Sequence, residues 1–519
     1  QDVATNPSVV SSRQAMLSNA EALVSRFQSM DERMSQMREG VNTQITSSVV
    51  EINSFANEIA QINQQIILAE GVSGGEPPND LLDQRDDLIN QLSKLINTDT
   101  VKQSDGSVNV YVGNGHAIVV GSQKLSLETI VSPDNPDNLT LGLVSANQTI
   151  QLPEDQITGG ALGGILAFRR DSLDGAQNAL GRVAMTLAQT FNEQHQLGVD
   201  LNGDMGKELF TVSSPKIISA STNNAASNIT ASISDFGALT TSDYQFSYDG
   251  TNYTLTNLSD NSSVSTAVIP SGATPLTLDG LSVTGAAILP NERFLIQPTV
   301  NGAKGIAVNI TDTTEIAAAG PNRTSAASTN KGTGTISAGT VNSLPLDPNL
   351  QQPLTITFHA PYDGQYDVTG TGTGLPATNQ AYTAGADISF NGYAFQISGQ
   401  PAAGDVFTIE PNSNGSSDNR NALLLGALQT KSTMENGTAT YQATYAQLVS
   451  QIGNKTRELD VTSKAQANLL AQTEKSIQSL SGVNLDEEAA NLMRFQQAFQ
   501  ASSKVIEISN TLFDSLLRI

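Results

Sequence analysis

The chain has 519 residues, and its 26 Lys and Arg against 50 Asp and Glu give a formal net charge of −24. That balance argues against nucleic-acid binding and against docking on anionic lipid, because both partners are held by clustered cations. Cysteine is absent, which excludes disulfides, thiolate metal sites and cysteine nucleophiles.

The N-terminal segment is polar. Residues 1–20 lack the basic start and apolar centre of a secretory signal peptide. The chain opens with Gln1, so we expect a fragment or a processed form. No run of about 18 apolar residues occurs, and the sequence therefore predicts no transmembrane helix.

Residues 12–69 carry one long helical period. Gly40 lies inside it and is expected to weaken the helix locally. The length favours a helical hairpin or a coiled coil. Three methionines at helical spacing are expected to be core residues. The apolar stripe comprises Leu17, Val24, Phe27, Met30, Met34, Met37, Val41, Ile45, Val49, Ile52, Phe55, Ile59, Ile62, Ile66 and Ala69.

Mixed patterns follow as far as residue 206. Asn79 or Asp80 is expected to cap a second helix, and residues 108–120 alternate as a β-hairpin around Gly113–Gly115. Further strands are predicted within 125–158. Gly159–Gly164 predicts a break, and Ile165–Leu197 predicts a helix. Its expected core side chains are Phe168, Leu173, Leu180, Met185, Leu187 and Phe191.

Residues 211–412 have all-β character, with short β-branched runs between turns. Phe294–Pro298 resembles Phe407–Pro411 in sequence, and Asp279-Gly280 parallels Asn391-Gly392 at a similar offset. Phe246 and Phe358 each precede a Tyr–Asp–Gly turn. This offset predicts two related β-domains.

The C-terminal hundred residues are helical again, and the last helix carries the strongest pattern. Its apolar side chains recur every seven residues, as a coiled-coil seam requires, and its opposite face is polar. We therefore expect this helix to assemble with other chains, with packing inside its own domain or on a membrane surface as alternatives. The predicted assembly residues are Leu485, Leu492, Phe495, Phe499, Val505, Ile506, Leu512, Phe513 and Leu516.

The remaining chemical groups predict no catalytic, cofactor or metal site. His116 is expected beside an exposed turn, His195 near a helix end where a cation favours the dipole, and His359 in a β-domain. The carboxylates around Arg85 fit a helix N-terminus with salt bridges, and the loop from Asp200 fits a turn better than a calcium site. Six tyrosines of the β-region could stack on glycans, although core packing is the simpler role: Tyr244, Tyr248, Tyr253, Tyr362, Tyr366 and Tyr393.

Together these patterns predict an α+β multidomain protein, in which a long helical, coiled-coil-like domain built from both chain ends carries inserted all-β domains. The expected divisions are a helical domain at 1–210 with a β-hairpin subregion at about 101–158, β-domains at 211–326 and 327–414, the returning helical part at 415–482 and an assembly helix at 483–519.

Four segments resemble the flagellar hook-associated protein 1 family. They are Asn79–Asp86, Leu166–Asp171 with Phe191–Gly203, Gly482–Leu492 and Phe495–Ser502. The first two resemble the hook–filament junction proteins in particular, whereas the C-terminal pair is shared among flagellar axial proteins. Another axial protein, either flagellin or a different hook-associated protein, is thus the nearest alternative, and an adhesin acting through the β-domains is a more distant one.

The resemblance implies a non-enzymatic structural subunit outside the cell, exported through the flagellar type III channel without a cleaved signal. It implies a ring of subunits that joins hook to filament. The implied partners are the hook protein, the next hook-associated protein, copies of the chain itself and a cytosolic chaperone on the C-terminal helical region. It also implies an N-terminal helix before Gln1 that pairs with the C-terminal one.

Overall fold

The computed structural model describes residues 1–73, 77–113, 115–145, 148–285, 288–342, 344–413 and 415–517. Contacts divide the chain into a first unit, Gln1–Leu448, and a second unit, Val449–Ile519. The first unit begins with the short helix α1 (Asp2–Thr5) and the 64-residue helix α2 (Val10–Ser73). Helix α2 is continuous through Gly40, so the alternative of a helical hairpin within 12–69 was wrong.

Helix α2 buries most of its predicted stripe, but two of the three methionines are exceptions. Met30 and Met37 are exposed, and Met34 is half-buried. Helix α3 (Asn79–Leu95) packs beside α2. Its N-cap is Pro78, which has no side-chain hydrogen bond, so the prediction that Asn79 or Asp80 caps the helix was wrong.

Two small antiparallel sheets cover one stretch of α2. The first contains β1 (Thr98–Lys102), β2 (Val108–Val112), β3 (His116–Val120) and β4 (Gln123–Lys124) in that order, and the second contains β5 (Ser126–Val131), β6 (Leu139–Ser145) and β7 (Gln148–Leu152). The predicted hairpin is β2–β3, although Asn114 of its turn lies outside the described residues. Asn53 and Asn63 of α2 bond the backbones of Leu127 and Val108, so polar helix positions fix both sheets.

Three consecutive helical segments follow. They are α4 (Gly160–Phe168), a π-helical turn (Arg169–Asp174) and α5 (Gly175–Gln196). Helix α4 starts within the glycine-rich run, so the predicted break at 159–164 was wrong for most of that run. Leu162 and Leu166 supply enough buried apolar surface to hold the helix in place. Phe168 is exposed, contrary to its predicted core position.

The first β-module spans residues 216–297. Its strands are β8 (Lys216–Ser219), β9 (Ile229–Ile233), β10 (Tyr244–Tyr248), β11 (Tyr253–Asn257), β12 (Ser263–Thr266), β13 (Leu276–Leu278), β14 (Leu281–Gly285) and β15 (Arg293–Gln297). One sheet has the order β12–β11–β10–β15–β8, and the other has the order β13–β14–β9. The core between them includes Phe246, Leu255, Leu281 and Phe294.

The second β-module spans residues 322–411. Its strands are β16 (Asn322–Ala326), β17 (Thr335–Ile336), β18 (Thr340–Val341), β19 (Leu354–Phe358), β20 (Gln365–Gly370), β21 (Ala377–Ala381), β22 (Asp387–Phe390), β23 (Tyr393–Ser398) and β24 (Val406–Pro411). The larger sheet has the order β16–β24–β19–β20–β21, while β17, β18 and β22 pair with β23.

The topology of the two modules agrees with the predicted duplication. Strands β8, β15, β10, β11 and β12 of the first larger sheet correspond in order to β16, β24, β19, β20 and β21 of the second. Asp279-Gly280 joins β13 to β14 with φ values of 50° and 77°, and Asn391-Gly392 joins β22 to β23 with 52° and 71°. Both turns use residue types that tolerate positive φ.

Returning segments complete the core of the first unit. Helix α6 (Gly302–Gly305) and residues up to Ala318 pack against α2 and α5, and helix α7 (Arg420–Ala427) packs against α1 and α5. Leu17, Phe27, Leu180 and Ile306 belong to this shared core. Asn419 donates to the carbonyl of Ala4, so the start of the chain meets the returning segment.

Helix α8 (Tyr441–Ser481) begins in the first unit, where Leu448 is buried. Within the second unit, the rest of α8 is followed by helix α9 (Leu485–Leu517). The predicted break at Gly482 thus falls between these two helices. Among the described residues, no helix is long and apolar enough to cross a membrane.

Candidate assembly surface

Helix α9 presents an apolar stripe in a seven-residue repeat. Asn484 precedes the helix, and its Oδ1 accepts the Asp486 backbone N–H at 3.1 Å, as a helix cap does. Acidic residues Asp486, Glu487 and Glu488 occupy the first turn, where they complement the positive end of the helix dipole. Asn484 therefore caps α9 directly before Leu485, the first residue of the stripe.

The predicted assembly residues whose side chains are described are all solvent-exposed. Their exposed fractions run from 61% at Leu492 and Ile506 to 81% at Leu485. Phe495, Phe499 and Val505 lie between these values. The side chains of Leu512, Phe513 and Leu516 lie outside the described set. A regular row of exposed Leu, Ile and Phe side chains is typical of a surface that packs on a partner.

The opposite side of α9 is polar. Gln497 and Lys504 are exposed there, and Lys504 pairs with Glu507 at 2.7 Å. Such a surface ion pair contributes little to stability. The helix is therefore amphipathic, and its apolar side is the one suited to recognition.

The part of α8 in the second unit also exposes apolar side chains. Its apolar residues come at irregular spacings, in contrast to the sevenfold repeat of α9. The exposed residues are Val449, Ile452, Leu459, Val461, Leu469, Leu470 and Ile477. This part of α8 thus offers further apolar surface for contacts. Its irregular spacing fixes the register of a partner helix less well than the repeat of α9 does.

The signature residues in the last turns of α5 have structural roles in the first unit. His195 is fully buried: its Nδ1 lies 2.6 Å from the Lys207 carbonyl, and its Nε2 accepts the Ala317 N–H at 2.8 Å. Burial lowers the pKa of His195, so the ring is neutral, and the predicted cation at the helix end was wrong. Asn192 exchanges two hydrogen bonds with the backbone of Phe210.

The other candidate groups also have local partners. The Arg85 guanidinium is buried and donates to the Gly106 carbonyl, and His116 is half-buried beside Gln156. Asp200 accepts the N–H groups of Asn202 and Asp204, which closes the loop as a turn. Within the described residues, no group of three or more His, Asp or Glu side chains is arranged to hold a metal ion.

The tyrosines of the β-modules are mostly core residues, which favours packing over glycan stacking. Tyr248 is half-buried, and Tyr362 is the exposed member of the set. The buried members are Tyr244, Tyr253, Tyr366 and Tyr393.

His359 bridges two carboxylates beside the β19–β20 turn. Its Nδ1 lies 2.9 Å from Asp363 Oδ2, and its Nε2 lies 3.0 Å from Asp367 Oδ1. Both ring nitrogens must donate to satisfy both contacts, which requires the imidazolium form. These hydrogen bonds, to Asp367 first and then to Asp363, raise the pKa of His359 above 6.5.

We predict that the His359 ring titrates above pH 6.5 and that Asp367→Asn lowers its midpoint. Because folding raises this pKa, the clamp stabilises the hairpin fully below the unfolded midpoint and loses that contribution as pH rises through the folded one. An NMR titration of the imidazole protons measures both midpoints. Asp387→Asn on β22 is the matched control, and an unchanged His359 midpoint in Asp367→Asn would contradict the clamp.

Sequence reasoning missed the buried charges that join the elements. Arg13 donates to the carbonyls of Pro7, Thr313 and Ile316, and Arg169 donates to Leu139 O and Glu154. Half-buried Arg38 also contacts half-buried Asp174 at 2.8 Å, and Asn178 of α5 donates to Asp243, which directly precedes β10. In the sequence, the only sign of these groups is a charged residue within or beside an apolar run. That sign does not identify the distant residue with which the charge pairs.

Comparison with known proteins gives a consistent assignment. Residues 1–210 match the family model described as "Flagellar hook-associated protein FlgK helical domain", 218–298 match "Flagellar hook-associated protein 1, D2-like domain", and 476–519 match "Flagellar basal body rod FlgEFG protein C-terminal".

Named relatives align with most of the chain. Flagellar hook-associated protein 1 of Salmonella typhimurium is 33% identical over 92% of this chain and 71% of its own length. The Escherichia coli protein of that name is 31% identical with the same coverage. The solved structure of the flagellar hook junction protein FlgK from Burkholderia pseudomallei superimposes with a TM-score of 0.79 at 35% identity, covering 92% of this chain and 91% of that one.

The helical domain, the paired β-modules and the exposed terminal helix thus define a structural protein of the bacterial flagellum, an external appendage. Its relatives are structural flagellar proteins that serve motility. Within that class, the chain belongs to the flagellar hook-associated protein 1 family.

Proposed function

We propose that this chain is a structural adaptor between the flagellar hook and the filament, and that it assembles through the apolar stripe of α9. The observation that carries the proposal is the sevenfold stripe with its exposed Leu492 and Phe499. An isolated amphipathic helix gains most of its stability from packing its apolar face. A partner that covers the stripe is therefore required for a stable assembly.

The stripe suits a helical partner in particular. A seven-residue repeat keeps one face in register with a second helix, whereas a globular groove does not need that regularity. Burying such side chains contributes about 25 cal/mol per Å² of apolar area. We propose that the partners in the flagellum are copies of this chain arranged in a ring, the hook protein on one side and the next hook-associated protein on the other.

The remaining parts have roles that follow from this arrangement. We propose the division predicted from the sequence, with the helical segments as the inner domain and the β-modules as the outer ones. The role is non-enzymatic. Before assembly, a cytosolic chaperone covers the exposed apolar surface of the C-terminal helical region, and the chain leaves the cell through the type III export channel. The exposed residues of α8 and α9 support the need for such a cover.

The position in the flagellum tests the adaptor role. We expect an antibody raised against this chain to label isolated flagella in a single band between hook and filament, as seen by electron microscopy. A strain lacking the gene serves as the negative control. Label along the whole filament or only at its tip would contradict the adaptor role.

A further inference from the structure

Each β-module contains a crossover segment that begins with the same tetrapeptide. Residues 220–223 and 327–330 both have the sequence Ala-Ser-Thr-Asn. They directly follow β8 and β16, the first strand of each module, and lead from the larger sheet to the smaller one. We call residues 220–228 and 327–334 the two crossover straps. An identical run at equivalent places of two modules indicates that both straps meet the same structural requirement.

The asparagine of each strap exchanges hydrogen bonds with the first residue of the last strand of its module. In the first module, Asn223 Nδ2 donates to the Arg293 carbonyl at 2.6 Å, and the Arg293 N–H donates to Asn223 Oδ1 at 3.1 Å. In the second module, Asn330 makes the same two bonds with the backbone of Val406, both at 2.8 Å. Each strap is thus fixed to a strand that lies 70 or 76 positions further along the chain.

A buried carboxylate directly before the last strand holds the next residue of the strap. Glu292 Oε1 accepts the N–H of Asn224 at 2.7 Å, and Asp405 Oδ1 accepts that of Lys331 at 2.8 Å. The second oxygen of Glu292 accepts the Leu289 N–H at 2.6 Å, and that of Asp405 accepts the N–H three positions earlier at 2.8 Å. Burial raises and hydrogen bonds lower the pKa of each carboxyl, and the net shift is downward. Both groups are therefore ionised at neutral pH, which leaves both oxygens free to accept.

The two modules differ in the reach of the carboxylate and in the space beside it, and these differences compensate. Aspartate is one methylene shorter than glutamate, so the strap must approach Asp405 more closely than Glu292. Gly332 permits this approach: its N–H donates to Asp405 Oδ2 at 3.0 Å, and a Cβ added there would lie 2.6 Å from that oxygen. The first strap has the exposed Ala225 two positions after its asparagine, where the second has Gly332. Glutamate with alanine and aspartate with glycine thus give one geometry from two residue sets.

We propose that these contacts form a repeated closure, in which a lock of one asparagine and one carboxylate holds each crossover strap against the last strand and keeps one end of its β-module shut. The strap connects the two sheets of the module, so its release lets the sheets separate at that end. Phe294 and Phe407 are buried one residue beyond the lock, and opening gives water access to that part of the core. Each lock joins residues of its own module, so one module opens while the other stays closed. The lock residues are Asn223 with Glu292 and Asn330 with Asp405.

Amide hydrogen exchange of the full chain, measured by mass spectrometry, tests the closure. Asn223→Ala removes two hydrogen bonds and should make exchange at residues 289–297 at least about tenfold faster, while residues 402–411 keep their rates. Asn330→Ala should give the reverse pattern. Thr222→Ala and Thr329→Ala change an exposed side chain of the same tetrapeptide and should leave both regions unchanged. Unchanged rates in the asparagine variants, or acceleration of both modules by one variant, would overturn the proposal.

A milder variant that conserves charge keeps the test decisive where an alanine variant unfolds its module. Glu292→Asp withdraws the carboxylate by one methylene and should also speed exchange at residues 289–297, whereas Glu208→Asp, at an exposed position outside the modules, should not. Combined with Asn223→Ala, Glu292→Asp should add little, because either change releases the same strap. Full multiplication of the two accelerations would show independent contacts and would overturn the lock, as would an unchanged rate in Glu292→Asp.

Discussion

Leu492→Ala combined with Phe499→Ala is expected to abolish filament growth while the β-modules stay folded. Both side chains are exposed, so the isolated chain loses little packing when they are truncated. In the assembled seam they would be buried, where Leu→Ala costs about 2–5 kcal/mol and Phe→Ala about 3–5 kcal/mol. The assembly should thus lose several powers of ten in affinity.

The measurement is complementation of a strain that lacks the gene, scored by swimming and by electron microscopy of flagella. Secreted chain in the medium separates failed assembly from failed export. The matched control is Gln497→Ala with Lys504→Ala on the polar side of the same helix, which should complement normally. Normal filaments in the Leu492→Ala/Phe499→Ala strain would refute the role assigned to the stripe.

Periodicity predicted the elements whose stability depends on their own side-chain pattern. The seven-residue repeat identified α9, and the three- and four-residue spacings identified α2, because one apolar face must repeat in step with the helix. The β-duplication was visible because both copies need the same positive-φ turns at Asp279-Gly280 and Asn391-Gly392. These requirements concern residues that are close together in the chain, so they can be recognised from the sequence alone.

The buried arginines could not be predicted in that way. Arg13 reaches carbonyls some three hundred positions along the chain, and Arg169 joins the carbonyl of Leu139 to the carboxylate of Glu154. The π-helical turn that places Asp174 leaves no distinct pattern in the sequence. The exposure of Phe168 and Met37 likewise depends on which neighbours arrive from elsewhere in the chain.

A close backbone contact between α5 and the segment that contains α6 gives the second large prediction. A Cβ added at Gly181 would lie 1.8 Å from the Thr299 carbonyl oxygen, and one added at Gly302 would lie 2.4 Å from the Gly181 carbonyl oxygen. Both obstructions are backbone atoms, which cannot rotate away as a side chain can. Glycine at these positions is therefore what lets the two segments approach so closely.

Gly181→Ala should lower the free energy of unfolding by about 3 kcal/mol or prevent folding, the upper end for overpacking a buried site. Gly175→Ala at the start of the same helix is the matched control, because its added Cβ meets nothing within 4 Å. Alanine there should be neutral or stabilising by up to about 1 kcal/mol. Thermal unfolding, followed by circular dichroism, compares the two variants. Equal melting temperatures would show that the α5–α6 contact accommodates the added methyl group without loss of stability.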